Sequence, residues 1–341
     1  MSGKHTLLPT LFLGVLSVFC LPSLEAATLQ APASTAALPT PEVFAPGVIS
    51  GPANDGTPTF SPDGNTLFFT RSTARWSVIL ESHRVQGKWS EPTVAPFSGE
   101  WSDASPALSP DGSFLIFVSV RPLAPNATHA QAKPETPAVA SHIWRVDHMK
   151  DDHMKDGREG SGWSAPVELP GTVNAFEAIF RPSVAADGTI YFTAAQKGKN
   201  LSLFRARLKD GAYLNAEPLT FSDGSVKDVD PEIAPDQSFL IFTSVGRRPD
   251  EPVHDHLFIV HNTGGVWGPI AAIRYAGDDA HGSSEDNDPR LGSDHRTIYF
   301  SSDRAAEVHF PRTHQQAIQD YERLRNWDNS NSNIWTIPLA L

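Results

Sequence analysis

Asp55, Asp103, Asp228 and Asp286 each stand three residues ahead of a proline, at Pro58, Pro106, Pro231 and Pro289. Four residues beyond a later phenylalanine come Arg121, Gln196 and Arg304, and Arg247 lies five beyond its own. Carboxylates and guanidinium groups at recurring offsets do one of two jobs. They pair with one another and tie segments together, or they converge on a common centre and hold a polar ligand. Three more acids join the set: Glu177, in a copy with Ile179 at the aspartate position, and Asp230 and Asp288, each directly before its proline. The acids are densest at 227–231 (KDVDP) and 284–289 (SEDNDP), with Asp278 and Asp279 just ahead. Two carboxylates about 4 Å apart repel by about 4 kcal/mol at an effective dielectric of 20, against about 1 in water. Convergence therefore calls for Arg121, Arg247 and Arg304, a cation, or full solvation. A hard cation such as Ca²⁺ suits oxygen ligands, but no calcium-loop spacing is present, so no metal site is assigned.

Other chemistries lack their signatures. The chain carries no G-x-S-x-G, P-loop, C-x-x-C, H-E-x-x-H or sialidase-type Asp box. His254 and His256 open a predicted strand on one face, which permits a two-histidine site, but no second motif supports it. The other histidines, among them His142, His148, His153, His281, His309 and His314, read as surface or turn residues.

The elements that position these groups are copies of one frame. PTFSPDG at Pro58 returns as PALSPDG at Pro106, PSVAADG at Pro182, PEIAPDQ at Pro231 and PRLGSDH at Pro289, at steps of 48, 76, 49 and 58 residues. An apolar doublet and a phenylalanine follow each: Phe69, Phe117, Phe192, Phe242 and Phe300. In the first copy, residues 57–60 are β-prone and 61–64 (SPDG) make a turn, with Pro fixing φ and Gly taking the left-handed position. Residues 66–70 form a strand apolar on both faces; a third strand follows at 77–85 and a fourth at 89–96. Third strands recur at 142–146, 201–208, 256–261 and 333–338, and fourth strands open at Trp163, Tyr213 and Trp267.

Four-stranded repeats of this length are propeller blades, each unable to bury both faces of its sheet alone. The last copy ends after its third strand, and 41–49 (PEVFAPGVI) reads like the fourth strand of copy one. The fold class is therefore all-β: a five-bladed β-propeller closed by residues 42–49, with repeats starting near 55, 103, 177, 228 and 286. The entry to strand one and the exit of strand two lie on one face, so the aspartates and arginines should gather there around the axis.

The frame D-x-x-P-x-φ-S-P-D-G-x-x-φ-φ-F resembles the WD40-like, PD40-type propeller repeat of periplasmic TolB-like proteins, over about residues 42–341. That resemblance implies the propeller fold. TolB-like proteins carry an α/β domain ahead of the propeller, and the segment 27–41, rich in Ala, Pro, Ser and Thr, is too short for one.

Residues 1–26 look like an export signal: a short polar start, an apolar run at 7–21 too short to span a bilayer well, and alanine at the cleavage position. The one cysteine, Cys20, falls inside it, so a mature chain has no disulfide. This places the protein in the periplasm or outside the cell, with no membrane insertion of the mature chain. The net charge of -12 argues against nucleic acid. Three insertions interrupt the frame. Residues 122–140 are Pro/Ala-rich, and 148–155 lie in a tandem DHMKDDHMKD. Residues 310–328 hold Ala317, Tyr321 and Leu324 at helical spacing, a short amphipathic helix placed as a lid on the axial face. The expected function is a non-catalytic exported scaffold binding a protein or glycan partner through its acidic, Arg-bearing axial face, without a cofactor. The rival is a carbohydrate-active hydrolase or lyase using axial carboxylates.

Overall fold

The computed structural model describes residues 37–122, 141–149, 162–176, 178–249, 253–278 and 284–339. The expected export signal, residues 27–36 of the tether, nearly all of the Pro/Ala insertion, most of the tandem, Glu177, Asp279, His153 and His281 lie outside the described residues.

Each frame copy folds as an antiparallel meander whose first strand is innermost. Blade one runs Asn54–Phe60, Thr66–Ser72, Ser77–Val85 and Thr93–Val94. Blade two runs Asp103–Leu108, Phe114–Ser119, His142–Asp147 and Val167–Glu168. Blade three comprises Ile179–Val184, Ile190–Ala194, Ser202–Ala206 and Glu217–Pro218. Blade four comprises Lys227–Ile233, Phe239–Val245, His256–Thr263 and Val266–Ala272. Blade five comprises Asp286–Leu291, Thr297–Ser302 and Asn333–Pro338, completed by Glu42–Val43 from the head of the chain. Innermost strands touch in sequence order, and the fifth touches the first. The protein is an all-β, five-bladed propeller.

The ring closes where Glu42 pairs with Thr336 and Val43 with Trp335, and the Phe44 N–H donates to the Ile334 carbonyl. The closing ladder is shorter than 42–49, because Pro46-Gly47 turns the chain, with Ala45 and Gly47 both at positive φ. Fourth strands are likewise shorter than their sequence suggests. WSEPTVAPF and WSAPVELP are broken by prolines that donate no ladder hydrogen bond, and their paired residues shrink to Thr93–Val94 and Val167–Glu168.

The apolar second strands hold the ring together. Leu67, Phe69, Leu115, Ile116, Phe117, Ile190, Phe192, Leu240, Phe242, Ile298 and Phe300 are fully buried. The core divides into five clusters, each at one interface between neighbouring blades. Truncating one such phenylalanine to alanine costs about 3–5 kcal/mol.

The insertion at 310–328 forms the helix His314–Leu324, N-capped by Thr313 in a capping box with Gln316. Its apolar stripe does not face the ring: Ile318, Tyr321 and Leu324 are exposed and no helical residue is buried. The cap, the Arg312–Asp320 and Arg323–Asp320 ion pairs and the burial of the following Trp327 against Trp335 hold it instead. Among the described residues no helix is long and apolar enough to cross a membrane.

Candidate functional site

The four recurrent aspartates are buried and each is spoken for by an arginine. Asp103 accepts from Arg121 at 2.8 Å, Asp228 from Arg247 at 2.7 Å and Asp286 from Arg304 at 2.6 Å. Blade one has no arginine four residues past its phenylalanine. Arg71, two past Phe69, takes the part and holds Asp55 at 2.7 Å. Sequence reasoning missed it because the offset differs.

These pairs have a second attachment. Arg71, Arg121 and Arg247 also donate to the carbonyls of Ile49, Phe97 and Phe221, in the segments that lead into their blades. Each of the four guanidinium groups lies over the strand-two phenylalanine of its own blade, Arg121 at 4.9 Å from the Phe117 ring. In blade five the Tyr275 hydroxyl donates to Asp286 at 2.6 Å. The arrangement fastens blades one, two, four and five to the chain entering them. Burial pushes the Asp55 carboxyl up despite Arg71, and burial together with Asp286 pushes the Tyr275 hydroxyl well above its ordinary value.

The groups that converge on the axis come from a different position, the residue directly before each proline. Thr57, Ser105, Arg181, Asp230 and Asp288 occupy it, with φ of 50°, 54°, 50°, 57° and 53°. At each one the ladder between strands one and two slips, a β-bulge that re-aims a side chain. Arg181 of blade three forms ion pairs with Asp288 of blade five and, at 3.6 Å, with Asp230 of blade four; it also donates to Ser105 of blade two at 3.0 Å. Blades three and five are not neighbours, so that contact is made across the axis.

The rest of the ring is closed by hydrogen bonds. Thr70 Oγ1 accepts from the Ser105 N–H and Thr193 Oγ1 from the Asp230 N–H, both at 2.9 Å, and Asp230 Oδ2 accepts from the Asp288 N–H at 3.3 Å. Ser301 donates to Asp288 at 3.2 Å. Burial first, and the neighbouring Asp288 second, push the Asp230 carboxyl up to about 7. Of the two carboxylates and the guanidinium, Arg181 has the most exposed side chain, at 33%.

Above this layer lies a cavity of about 200 Å³, lined by Asn54, Asp55, Gly56, Thr57, Thr70, Ser72, Arg181, Asn287, Asp288, Ser301 and Ser332. Beneath it, the residue after the fifth proline fills the axis. Arg290 is 2% exposed and donates to the carbonyls of Pro182 and Pro231 at 3.2 and 3.4 Å and to Glu232 at 3.3 Å. Burial pushes the Glu232 carboxyl up, against the pull of Arg290.

Of the sequence candidates, Asp230 and Asp288 meet at the axis, and Asp55 reaches the cavity wall. Asp103, Asp228, Asp286, Arg121, Arg247 and Arg304 are engaged in the blade-entry pairs. Arg181, Thr57 and Ser105 were missed; their common place before a proline is visible in the sequence, but their differing side chains hide it. None of the cavity's lining residues belongs to the helix expected as a lid. His254 pairs with Glu285 at 3.3 Å and His256 is buried. Among the described residues no cluster of three or more His, Cys, Asp or Glu is placed to hold a metal ion.

No protein-family model matches this chain, and no curated protein does. Solved structures do. TolB from Acinetobacter baumannii is 13% identical over 84% of this chain, with a TM-score of 0.44, and the chain spans 55% of its length. A putative TolB from Agrobacterium tumefaciens is 14% identical over 85% of this chain and 92% of its own, with a TM-score of 0.47. An α-L-arabinofuranosidase from Lactobacillus brevis is 10% identical over 86% of this chain and 92% of its own, with a TM-score of 0.50. At such identities the likeness is one of fold. The class is the five-bladed β-propeller.

Proposed function

We propose that this protein is an exported, non-catalytic propeller scaffold that binds the hydroxyl-rich end of a glycan in its axial cavity. The observation that carries the reading is the cavity's lining: hydroxyls, amides, carboxylates and one guanidinium, with no large apolar side chain. Protein hot spots are built around buried aromatic and apolar anchors, so this mouth favours a polyol over a protein. Sugars need donors and acceptors side by side, which Asn54, Ser72, Asn287 and Asp288 supply. The export signal, together with the resemblance to periplasmic repeats, supports a location in the periplasm or outside the cell.

A second reading has one observation in its favour. Asp230 keeps its proton near neutral pH beside a second carboxylate, as a general acid would. Against catalysis, both carboxyls are engaged by the same arginine, whereas a glycoside hydrolase needs two that act separately across the scissile bond. A glycan array followed by calorimetry tests the first reading: Asn287→Ala should weaken binding about tenfold, a loss of about 1.4 kcal/mol, with the fold unchanged. A polysaccharide-hydrolysis screen tests the second: turnover lost in Asp230→Asn would replace the scaffold reading, and neither binding nor turnover would refute both.

A further inference from the structure

The third strand of each blade carries a residue that faces the next blade, opposite the residue before the recurrent phenylalanine. In blade two it is Arg145, opposite Ile116; in blade three it is Arg205, opposite Tyr191. Both clefts are thus served by a guanidinium from the protein itself. Arg145 lies 3.8 Å from the centroid of Phe114 and donates to Asp147, and Arg205 donates to Glu217 at 2.8 Å.

Blade one reverses the charge at this place. Its residue is Glu81, opposite Phe68, and the cleft toward blade two is a cavity of about 530 Å³. The cavity lies at the end of the ring bearing the Asp-Gly turns, away from the axial mouth. Phe68 and Trp163 wall it, their rings edge to face at 5.6 Å, and His148 packs on Trp163 at 5.0 Å. Glu81 has a side chain 15% exposed and contacts His83 Nε2 at 2.9 Å. Asp63 and Asp111 line the rim, where hydrogen bonds from their own turns hold both carboxyls below the usual range and so ionised. Among its described lining residues there are three carboxylates and no lysine or arginine.

We propose that the cleft between blades one and two binds an organic cation, a guanidinium or primary ammonium group on an apolar stem. The sheltered Glu81 carboxylate supplies the charge-assisted hydrogen bond, and the aromatic walls supply cation–π attraction and cover for the stem. The next two clefts round the ring show what such a site accommodates, since each already seats an arginine of the chain. This site is separate from the axial cavity, and neither reading depends on the other.

The test is calorimetric titration of the full chain at low salt with two probes, agmatine as a free cation and N-acetyl-arginine amide as a peptide-borne one. Saturable binding of either is expected, at least about tenfold weaker in Glu81→Gln. Tighter binding of agmatine assigns a free amine as the source; tighter binding of the amide assigns a partner's side chain. Glu81→Arg should abolish binding and leave the fold intact, because blades two and three carry arginine at the same place. Axial variants such as Asn287→Ala should leave it unchanged. No saturable heat with either probe, or binding that survives Glu81→Arg in a folded protein, overturns the proposal.

Discussion

Replacing Asp230 with asparagine should make the protein more stable at alkaline pH and leave it nearly unchanged at acid pH. Asp230 is 7% exposed, lies beside Asp288, and titrates near 7 in the folded chain against 3.8 as its ordinary value. Each unit of such a shift is worth about 1.4 kcal/mol, so the carboxylate's full cost is about 4 kcal/mol. The sign follows from proton counting. Between about pH 4 and about pH 7 the folded state binds more protons at this group than the unfolded state does, so stability falls as the pH rises. Asparagine removes the titration and keeps the geometry: it tolerates the left-handed backbone at φ 57°, its side-chain oxygen can accept the Asp288 N–H, and Arg181 retains Asp288. Urea unfolding of both proteins should therefore show a gap of about 2–4 kcal/mol in favour of the variant at about pH 8, closing to about 1 or less at about pH 4.5. Parallel stability curves, or a variant less stable at the alkaline end, would refute the axial electrostatics argued above.

Arg290→Met removes the cation that spans blades three, four and five and leaves the half-buried Glu232 carboxylate with the Leu291 N–H but no cation, so urea unfolding should show a loss of about 2–4 kcal/mol. Adding Glu232→Gln to that variant should restore much of it. A Cβ at Gly56 would collide with Ser301 Oγ at the cavity wall, so Gly56→Val should block axial ligand binding in calorimetry more than it lowers Tm. Replacing residues 311–326 with a short Gly/Ser linker removes a helix that buries none of its side chains. The melting temperature should move by about 2 °C or less and the axial affinity should not change, whereas a helix that covered the mouth would change it.

The ring was legible in the sequence because its determinants are local and repeated. A proline, an Asp-Gly turn and an apolar doublet ending in phenylalanine specify two strands and their hairpin without reference to anything distant. Closure was legible for a related reason: the unpaired third strand 333–338 needed a partner, and Val43 offered one. The site was only half legible. The Asp–Arg offsets stood out because the residue types repeat, and residues repeated in four of the five blades serve what those blades share, here the fastening of their entry segments. Arg71 escaped by sitting at another offset in the same fastening. The helix stripe of Ala317, Tyr321 and Leu324 had the right period, but period alone does not say that a neighbour is present to cover it.

The axial position obeys a different logic. A residue before proline prefers extended backbone, and left-handed φ costs a non-glycine residue about 1–2 kcal/mol. Five such residues, one of them the β-branched Thr57, bear that strain at the same place in five blades. A ring needing only its shape would be cheapest with glycine there. The bulge turns these five side chains toward the axis, and their types do not follow the repeat. Threonine, serine, arginine and two aspartates give that point hydroxyls, one cation and two acids from five separate strands. Repetition builds the platform, and this strained place, where the copies differ in every blade but the last two, is where the proposed glycan binding would find its specificity.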